Sequence, residues 1–486
     1  MRRPYLPFIL ILCTYFALWS VLPAILAPSL PLDVVEGIIW GREWQLGYYK
    51  HPPLPSWLLD IFFHLFGHVG PYLLSQLCIA ATLFMVYQLG RRIVSPPKAF
   101  MGSLLLLAVF YYTWPSLEFN HNIAQLPIWA GICWAFYHAW TEDRRSAWVC
   151  FGIIAGLGLL TKYSVALLLI TLLLYSLISK RRTRWLTMNP WLAIVMMTLI
   201  FLPHLWWLST HDWLPFTYAL GRSDEAEISG GRLAAFKFIG TQAVNHLPLI
   251  IIALACGLYR YARRPNALTE QEKLLLVMAF GPALLTMSLG LVFGIGLRDM
   301  WGTPMWNFSG IALMMLVSDA YIPLVSKRLE KGLLIFLLLV TLAMSVYSAT
   351  GARLSGKPGR MHWPQAALSL QAQQTWQTVS GCPLDVVGGI DWLAGLIAVD
   401  APSRPSVLIA PNAAFSPWMS AERIQQHGLL SVWREGESEN LPYVAQANIA
   451  ALEVAQGVWQ LNWLQNPQRE PLKVHWRAYV PNTCRR

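Results

Sequence analysis

The sequence predicts a mainly α, polytopic membrane protein that carries a small α/β domain toward its C-terminal end. Three observations predict it. Hydrophobic residues make up 56% of the 486 and charged residues only 13%. Apolar runs recur through the first part of the chain, several reaching the roughly 20 residues that a bilayer-spanning helix needs. After about residue 350 those runs shorten, and Gln, Ser, Pro, Asp and Glu become frequent.

The spans are expected near 7–29, 71–90, 100–116, 122–140, 147–161, 163–179, 190–208, 241–259, 274–296, 301–323 and 332–349, about eleven transmembrane helices. The first follows Arg2-Arg3, lacks a small-residue cleavage site and reads as a retained signal anchor. The fifth and sixth read either as two spans or as one broken hairpin. A formal charge of +11 would suggest nucleic acid in a soluble protein. Here the positives sit in short clusters between apolar runs: Arg2-Arg3, Arg91-Arg92 with Lys98, Arg144-Arg145, Lys180-Arg181-Arg182 with Arg184, Arg260 with Arg263-Arg264, and Lys327-Arg328 with Lys331. One threading puts all six on the same side, which the positive-inside rule makes cytoplasmic. The opposite side then receives 31–59, 118–122, 161–163, 211–240, 296–299 and the tail.

The tail, residues 350–486, is expected to form an extramembrane α/β domain of roughly 130 residues, against a membrane domain at 1–349. Short apolar runs with turn signals read as strands at Pro383–Gly389 and Val407–Ala410, and Val454–Leu461 and Leu472–Val480 are further strand candidates. Five cysteines lie in apolar runs without metal-ligand spacing. The other two, Cys382 and Cys484, bracket most of the tail in an expected oxidising compartment and are a disulfide candidate.

The richest stretch is the first loop, Pro31 to Leu59. In a chain so poor in charge it holds Asp33, Glu36, Arg42, Glu43, Lys50 and His51. Asp33 and Glu36 stand three apart and share a face on a helical turn. Tyr48-Tyr49-Lys50-His51-Pro52-Pro53 sets aromatic rings and two potential cations against a rigid bend. Carboxylates beside cations at a membrane surface suit a reaction on an anionic, lipid-linked substrate. The plainer reading is a solvated connector in which Asp33 caps an interfacial helix and Lys50 snorkels. Lys162, followed by Tyr163, is a lone cation on the charge-poor side; Arg222 and Arg298 are similar exceptions there, with an interfacial anchor and a local pair to Asp299 as their plain readings. Glu118 and His121 occupy a short external loop, where either could supplement Asp33. No Walker loop, GxGxxG, HExxH or paired CxxC occurs. No cofactor is required; the separated acids Asp33, Glu36 and Glu118 have the chemistry to hold a divalent ion, but nothing in the sequence demands one.

Taken together, these residues resemble the GT-C glycosyltransferases. The likeness is to the bacterial branch related to dolichyl-phosphate-mannose protein mannosyltransferases and to the lipid A aminoarabinose transferases. It rests on Asp33 after the first span, Gly47-Tyr48-Tyr49-Lys50-His51-Pro52-Pro53-Leu54, Gly158-Leu159-Leu160-Thr161-Lys162-Tyr163, His211-Asp212-Trp213 with Phe216, and Trp301-Gly302-Thr303-Pro304. The resemblance implies a sugar donor on a polyprenyl phosphate, undecaprenyl phosphate in a bacterium, and inverting transfer at the periplasmic face of the inner membrane. The acceptor would be lipopolysaccharide or its lipid A, another glycan, or a protein. It gives Asp33 the role of base or acceptor orienter. Tyr49, Lys50, His51, Lys162 and Tyr163, with Arg222 or Arg298, would meet the donor. Two departures stand out. Val34 and Val35 separate Asp33 from Glu36 where the family commonly has adjacent acids, and Asn120-His121-Asn122 stands where it often has Thr-Pro-Asp. Glu36 or Glu118 would then supply the second carboxylate. The rival reading, a transporter or flippase of lipid-linked sugars, favours charges inside spans and internal repeats, and no repeat is visible.

Overall fold

The computed structural model describes residues 6–228, 232–262, 267–440 and 453–485. Arg2-Arg3 and Arg263-Arg264 lie outside the described residues. The chain folds into two compact units: residues 1–49, 56–73 and 342–486 form one, and 50–55 with 74–341 the other.

In chain order the helices are α1 (Leu6–Leu26), α2 (Leu32–Gly41), α3 (Leu54–Phe66), α4 (Val69–Gly90), α5 (Pro96–Leu104), α6 (His121–Glu142), α7 (Arg145–Leu159), α8 (Val165–Ile178), α9 (Asn189–Thr210), α10 (Leu214–Ile228), α11 (Leu233–Asn245), α12 (Leu247–Ala255), α13 (Glu270–Phe293), α14 (Ser309–Met315), α15 (Ile322–Ser355), α16 (Gln365–Val379), α17 (Asp391–Asp400) and α18 (Ala421–His427). Most of the expected spans fall on an α-helix. Among the described residues five helices are long and apolar enough to cross a bilayer, or up to seven if two bent pairs count as spans. The first bent pair, Pro96–Ala108 and Phe110–Leu117, turns by 86°, because Val109 is extended and Thr113 leaves helical geometry. The second, α11 with α12, turns by 45° just before Pro248. The fifth and sixth stretches are two separate helices, α7 and α8. The stretch expected at 301–323 is broken: a 3-10 segment, Asp299–Trp306, precedes the short α14. There Gly310 lies against Gly102 of α5 so closely that a Cβ on Gly310 would sit 2.1 Å from the Gly102 carbonyl oxygen.

The first loop is not a loop. It is α2 and α3 joined by residues 42–53. Pro31, extended at φ −68°, starts α2 without any side-chain cap, so Asp33 is a first-turn residue and not the N-cap. Val34, Val35, Ile38, Ile39 and Trp40 of α2 are fully buried. Burying such side chains contributes roughly 1.5–3 kcal/mol each, which explains why a ten-residue helix persists where an isolated one would melt.

The partner that α2 buries against is α17 of the tail: a Cβ built on Gly395 would lie 2.6 Å from Val35 Cγ1. The entry to α2 is also tied to the tail. Ser29 N donates to Met361 O, and Leu30 N to Gln365 Oε1 at 2.8 Å. At the far end Arg42 Nη1 donates to Ala398 O at 2.7 Å and Nη2 to Val399 O at 3.2 Å, satisfying last-turn carbonyls of α17.

The tail carries a five-stranded sheet of order β2-β1-β3-β5-β4, with β1 Val386–Gly389, β2 Ser406–Ile409, β3 Leu429–Arg434, β4 Glu453–Leu461 and β5 Leu472–Val480. β1 pairs in parallel with β2 and β3; β5 pairs antiparallel with β3 and β4. Parallel pairing requires covered faces; Val386, Leu408, Ile424 and Leu429 make part of that core. Strand β3 and helices α16 and α17 were not anticipated from sequence. Cys382 and Cys484 form a disulfide across 102 residues of chain. Cross-linking a loop of that length stabilises by about 3–5 kcal/mol. Cys382→Ser with Cys484→Ser should therefore lower the tail's resistance to thermal unfolding and proteolysis, and reductant should reproduce the loss in the wild type but not in the variant.

Candidate functional site

Asp33 and Glu36 project from successive turns of α2, in the unit that contains the tail. Asp33 keeps 37% of its side chain exposed, with Arg360 Nη1 3.9 Å from Oδ1. Glu36 is buried, 8% exposed. The two acids therefore differ in character. Asp33 is open to a ligand, whereas Glu36 is closed off from solvent. Trp40, the last large residue of α2, stacks on Tyr48 and meets Tyr49 edge-on. Tyr49 is buried, its ring stacked on Phe415 at 3.9 Å and its hydroxyl donating to Asp391 Oδ2 at 3.3 Å. Those contacts give Tyr49 a structural place inside this unit.

The second unit gathers most of the other residues singled out by sequence. Pro52 and Pro53 stiffen the chain, and Leu54 N donates to Leu160 O. This bond fixes the 50–53 bend beside the turn between α7 and α8, where Lys162 lies. His51 and His121, the latter on the first residue of α6, stack with ring centroids 4.0 Å apart. His121 Nε2 lies 3.3 Å from Pro52 O. Lys162 Nζ donates to Asn122 Oδ1 at 2.5 Å. Lys50 Nζ lies 5.6 Å from the centre of the Tyr218 ring of α10, within cation–π reach. Tyr163 stacks on Phe216 and shares a 2.8 Å hydrogen bond with His204 Nε2. Lys50, His51, His121 and Lys162 thus form one cationic and imidazole cluster.

Burial, then His121, Lys162 and Lys50 around it, push the His51 pKa well below the usual imidazole value of 6.5. His51 is consequently a neutral ring, not the second cation that sequence suggested. Well above pH 6.5 the ring is uncharged in the folded and unfolded chain alike. Below it the unfolded ring takes up a proton that the folded ring refuses, so stability falls as pH falls. In detergent the melting temperature should drop between about pH 7.5 and 5, and His51→Asn should flatten part of that slope. An unchanged slope would show that His51 titrates normally.

Glu118 is half-buried three residues before His121, ahead of the Asn120 side chain that caps α6 by accepting from Asn122 N and Ile123 N. Arg298 precedes the 3-10 segment Asp299–Trp306. There the Asp299 carbonyl is held by Tyr111 and Gln242. Arg222 falls within α10, and its side chain lies outside the described residues. Asn122 and Tyr218 make direct contacts to the cluster, and His204 and Phe216 contact Tyr163 beside it, although sequence reasoning gave them no role of their own. A histidine at membrane depth, His204, was the one available signal.

Residues 50–207 match the dolichyl-phosphate-mannose-protein mannosyltransferase family. Over 463 residues the chain is 25% identical to a lipopolysaccharide core galacturonosyltransferase of Rhizobium johnstonii, covering 89% of this chain and 88% of that one. Over 178 residues it is 28% identical to the undecaprenyl phosphate-alpha-4-amino-4-deoxy-L-arabinose arabinosyl transferase of Pseudomonas savastanoi, 35% of this chain and 33% of that one. Among solved structures, ArnT from Cupriavidus metallidurans bound to undecaprenyl phosphate superposes with a TM-score of 0.67 at 14% identity, over 97% of this chain and 98% of that one. The likeness establishes a shared fold.

Proposed function

We propose that this GT-C glycosyltransferase takes its sugar from a polyprenyl phosphate, undecaprenyl phosphate in a bacterial inner membrane, and passes it to a lipopolysaccharide or its lipid A. Another periplasmic glycan or a protein is a less favoured acceptor. The observation that carries the reading is the cluster of Lys50 and Lys162 around the His51–His121 pair. Two ammonium groups, with neutral imidazoles beside them as hydrogen-bond donors, suit a phosphate monoester leaving group.

In this reaction the Asp33 carboxylate accepts the proton of the acceptor hydroxyl as its oxygen bonds to the anomeric carbon. The bond from that carbon to the donor phosphate breaks on the opposite face, the phosphate keeps the electron pair, and the anomeric centre inverts. Lys50 and Lys162 stabilise the departing phosphate, with His51, His121 and Tyr163 positioning it and Arg222 or Arg298 adding charge. Glu36 or Glu118 supports Asp33, and Tyr49 is assigned to substrate binding. We assign residues 1–349 to a catalytic membrane domain of about eleven spans. Residues 350–486, with the active site, lie on the periplasmic side, in keeping with the basic clusters threaded to the opposite face and with the Cys382–Cys484 disulfide.

The test is reconstitution of the purified protein in vesicles with an undecaprenyl-phosphate-linked sugar and lipopolysaccharide. Release of undecaprenyl phosphate with labelling of the acceptor supports transfer. Movement of the intact donor across the bilayer without its cleavage would replace this reading with a transporter.

A further inference from the structure

Beyond the C-terminus of α2, within the unit that contains the tail, the chain turns through Trp44 at φ +46°. A bulky residue rarely occupies the left-handed region, and holding it there costs about 1–3 kcal/mol unless its surroundings fix it. The indole stacks on Trp57, centroids 5.6 Å apart at 21°, and Trp57 Nε1 donates to Gln45 O. Even so, Trp44 leaves 54% of its surface exposed. The strain holds an aromatic face toward solvent.

Beside that face opens a cavity of about 530 Å³, within the roughly 300–1,000 Å³ typical of small-ligand sites. Arg42, Glu43, Asp60 and Arg404 supply its charges, and Ile61 and Leu65 of α3 its apolar rim. Arg404 Nη2 donates to Asp60 Oδ1 at 3.3 Å, and Arg404 Nη1 lies 3.0 Å from His64 Nδ1. Arg42 Nε sits 3.9 Å from the same carboxylate oxygen, its side chain only 8% exposed. Two guanidiniums against two carboxylates leave no net charge to attract a phosphate. What remains is an indole face ringed by fixed donors and acceptors. That arrangement suits a pyranose ring, whose C–H face stacks on the indole while its hydroxyls bond to the charged rim.

The position also fits. Arg42 lies nine residues after Asp33 on the same helix, an advance of about 14 Å, a separation spanned by a few linked sugars. We propose that this cavity is an acceptor subsite that holds an uncharged sugar residue of the glycan at a distance from the residue receiving the transfer. The inference rests on the transferase reading above and adds to it the means of choosing an acceptor.

The experiment measures binding of a phosphate-free lipopolysaccharide core oligosaccharide to the full-length protein in detergent, by calorimetry and by quenching of tryptophan fluorescence. Wild type should bind saturably. Trp44→Ala should bind at least tenfold more weakly with an unchanged melting temperature, and Trp44→Tyr, which keeps an aromatic face, should recover most of the affinity. Equal binding by Trp44→Ala and wild type overturns the proposal, as does failure of the wild type to bind. A phosphorylated oligosaccharide binding much more tightly than the phosphate-free one overturns the uncharged class. Absence of undecaprenyl phosphate release in the same preparation counts against the transferase reading alone, because binding is read without any donor.

Discussion

Asp33→Asn should lower the rate of sugar transfer by a factor of about 10² or more, a loss of roughly 2.7 kcal/mol of transition-state stabilisation. Asparagine matches the shape of aspartate but cannot take the proton of the attacking hydroxyl. Asp33 is not the cap of α2, since Pro31 occupies that position. Its contact with Arg360 is long and half-exposed, an arrangement worth at most about 1 kcal/mol. Its favourable place in the first turn contributes roughly 0.3–1 kcal/mol through the helix dipole. A stability change confined to that range beside a hundredfold loss in kcat identifies a base. Equal rates for variant and wild type would reduce Asp33 to a helix-terminus charge and move the role to Glu36 or Glu118. Burial makes Glu36 the weaker of those two.

Lys162→Met should reduce transfer by about 10² to 10³, the magnitude expected when a fixed positive group facing developing negative charge is lost. Methionine keeps much of the stem and its packing. Lys162 reaches Asn122 Oδ1 at 2.5 Å, so a purely structural role predicts that Asn122→Ala does equal harm. On the catalytic reading Asn122→Ala leaves the charge in place and costs far less, while Lys162→Met falls mainly in kcat. Similar losses in both variants, accompanied by a lowered melting temperature, would make the lysine a strut of the turn between α7 and α8.

Charge at apolar depth is expensive, and that made Lys50, His51, His121 and Lys162 stand out in the sequence; the structure brings these four together. Their protonation was not legible. The neutrality of His51 depends on neighbours seventy and more than one hundred residues later in the chain. The same limit explains α2. Its sequence reads as a charged connector because the surface it covers belongs to α17, contributed more than three hundred residues downstream. Helix α17 itself is apolar on every side, Trp392 through Val399, so it shows no helical periodicity to distinguish it from a strand. Strands β1, β2, β4 and β5 were visible as short runs, the first two marked by turn residues. β3 was missed although Leu429–Val432 is a buried run like β1, because no Gly or Pro turn pair marks its far end. Arg360 and Gln365 looked like ordinary linker residues, and only folding places them against the Asp33 helix.

The packing of α2 on α17 also fixes when the site can exist. The bond from Arg42 to Ala398 O spans 356 residues, and a ribosome adding about 5–20 residues per second needs roughly 20–70 s to cover that interval. Throughout that time the proposed base lies on a segment already synthesised, next to a first helix already available to the bilayer, with nothing to fold upon. Val34, Val35 and Trp40 must remain uncovered until the last quarter of the chain emerges. Assembly of this end of the molecule is therefore a late event in biosynthesis, and a chain interrupted before Asp391 has made every described helix long and apolar enough to cross a bilayer but never the support beneath its acid.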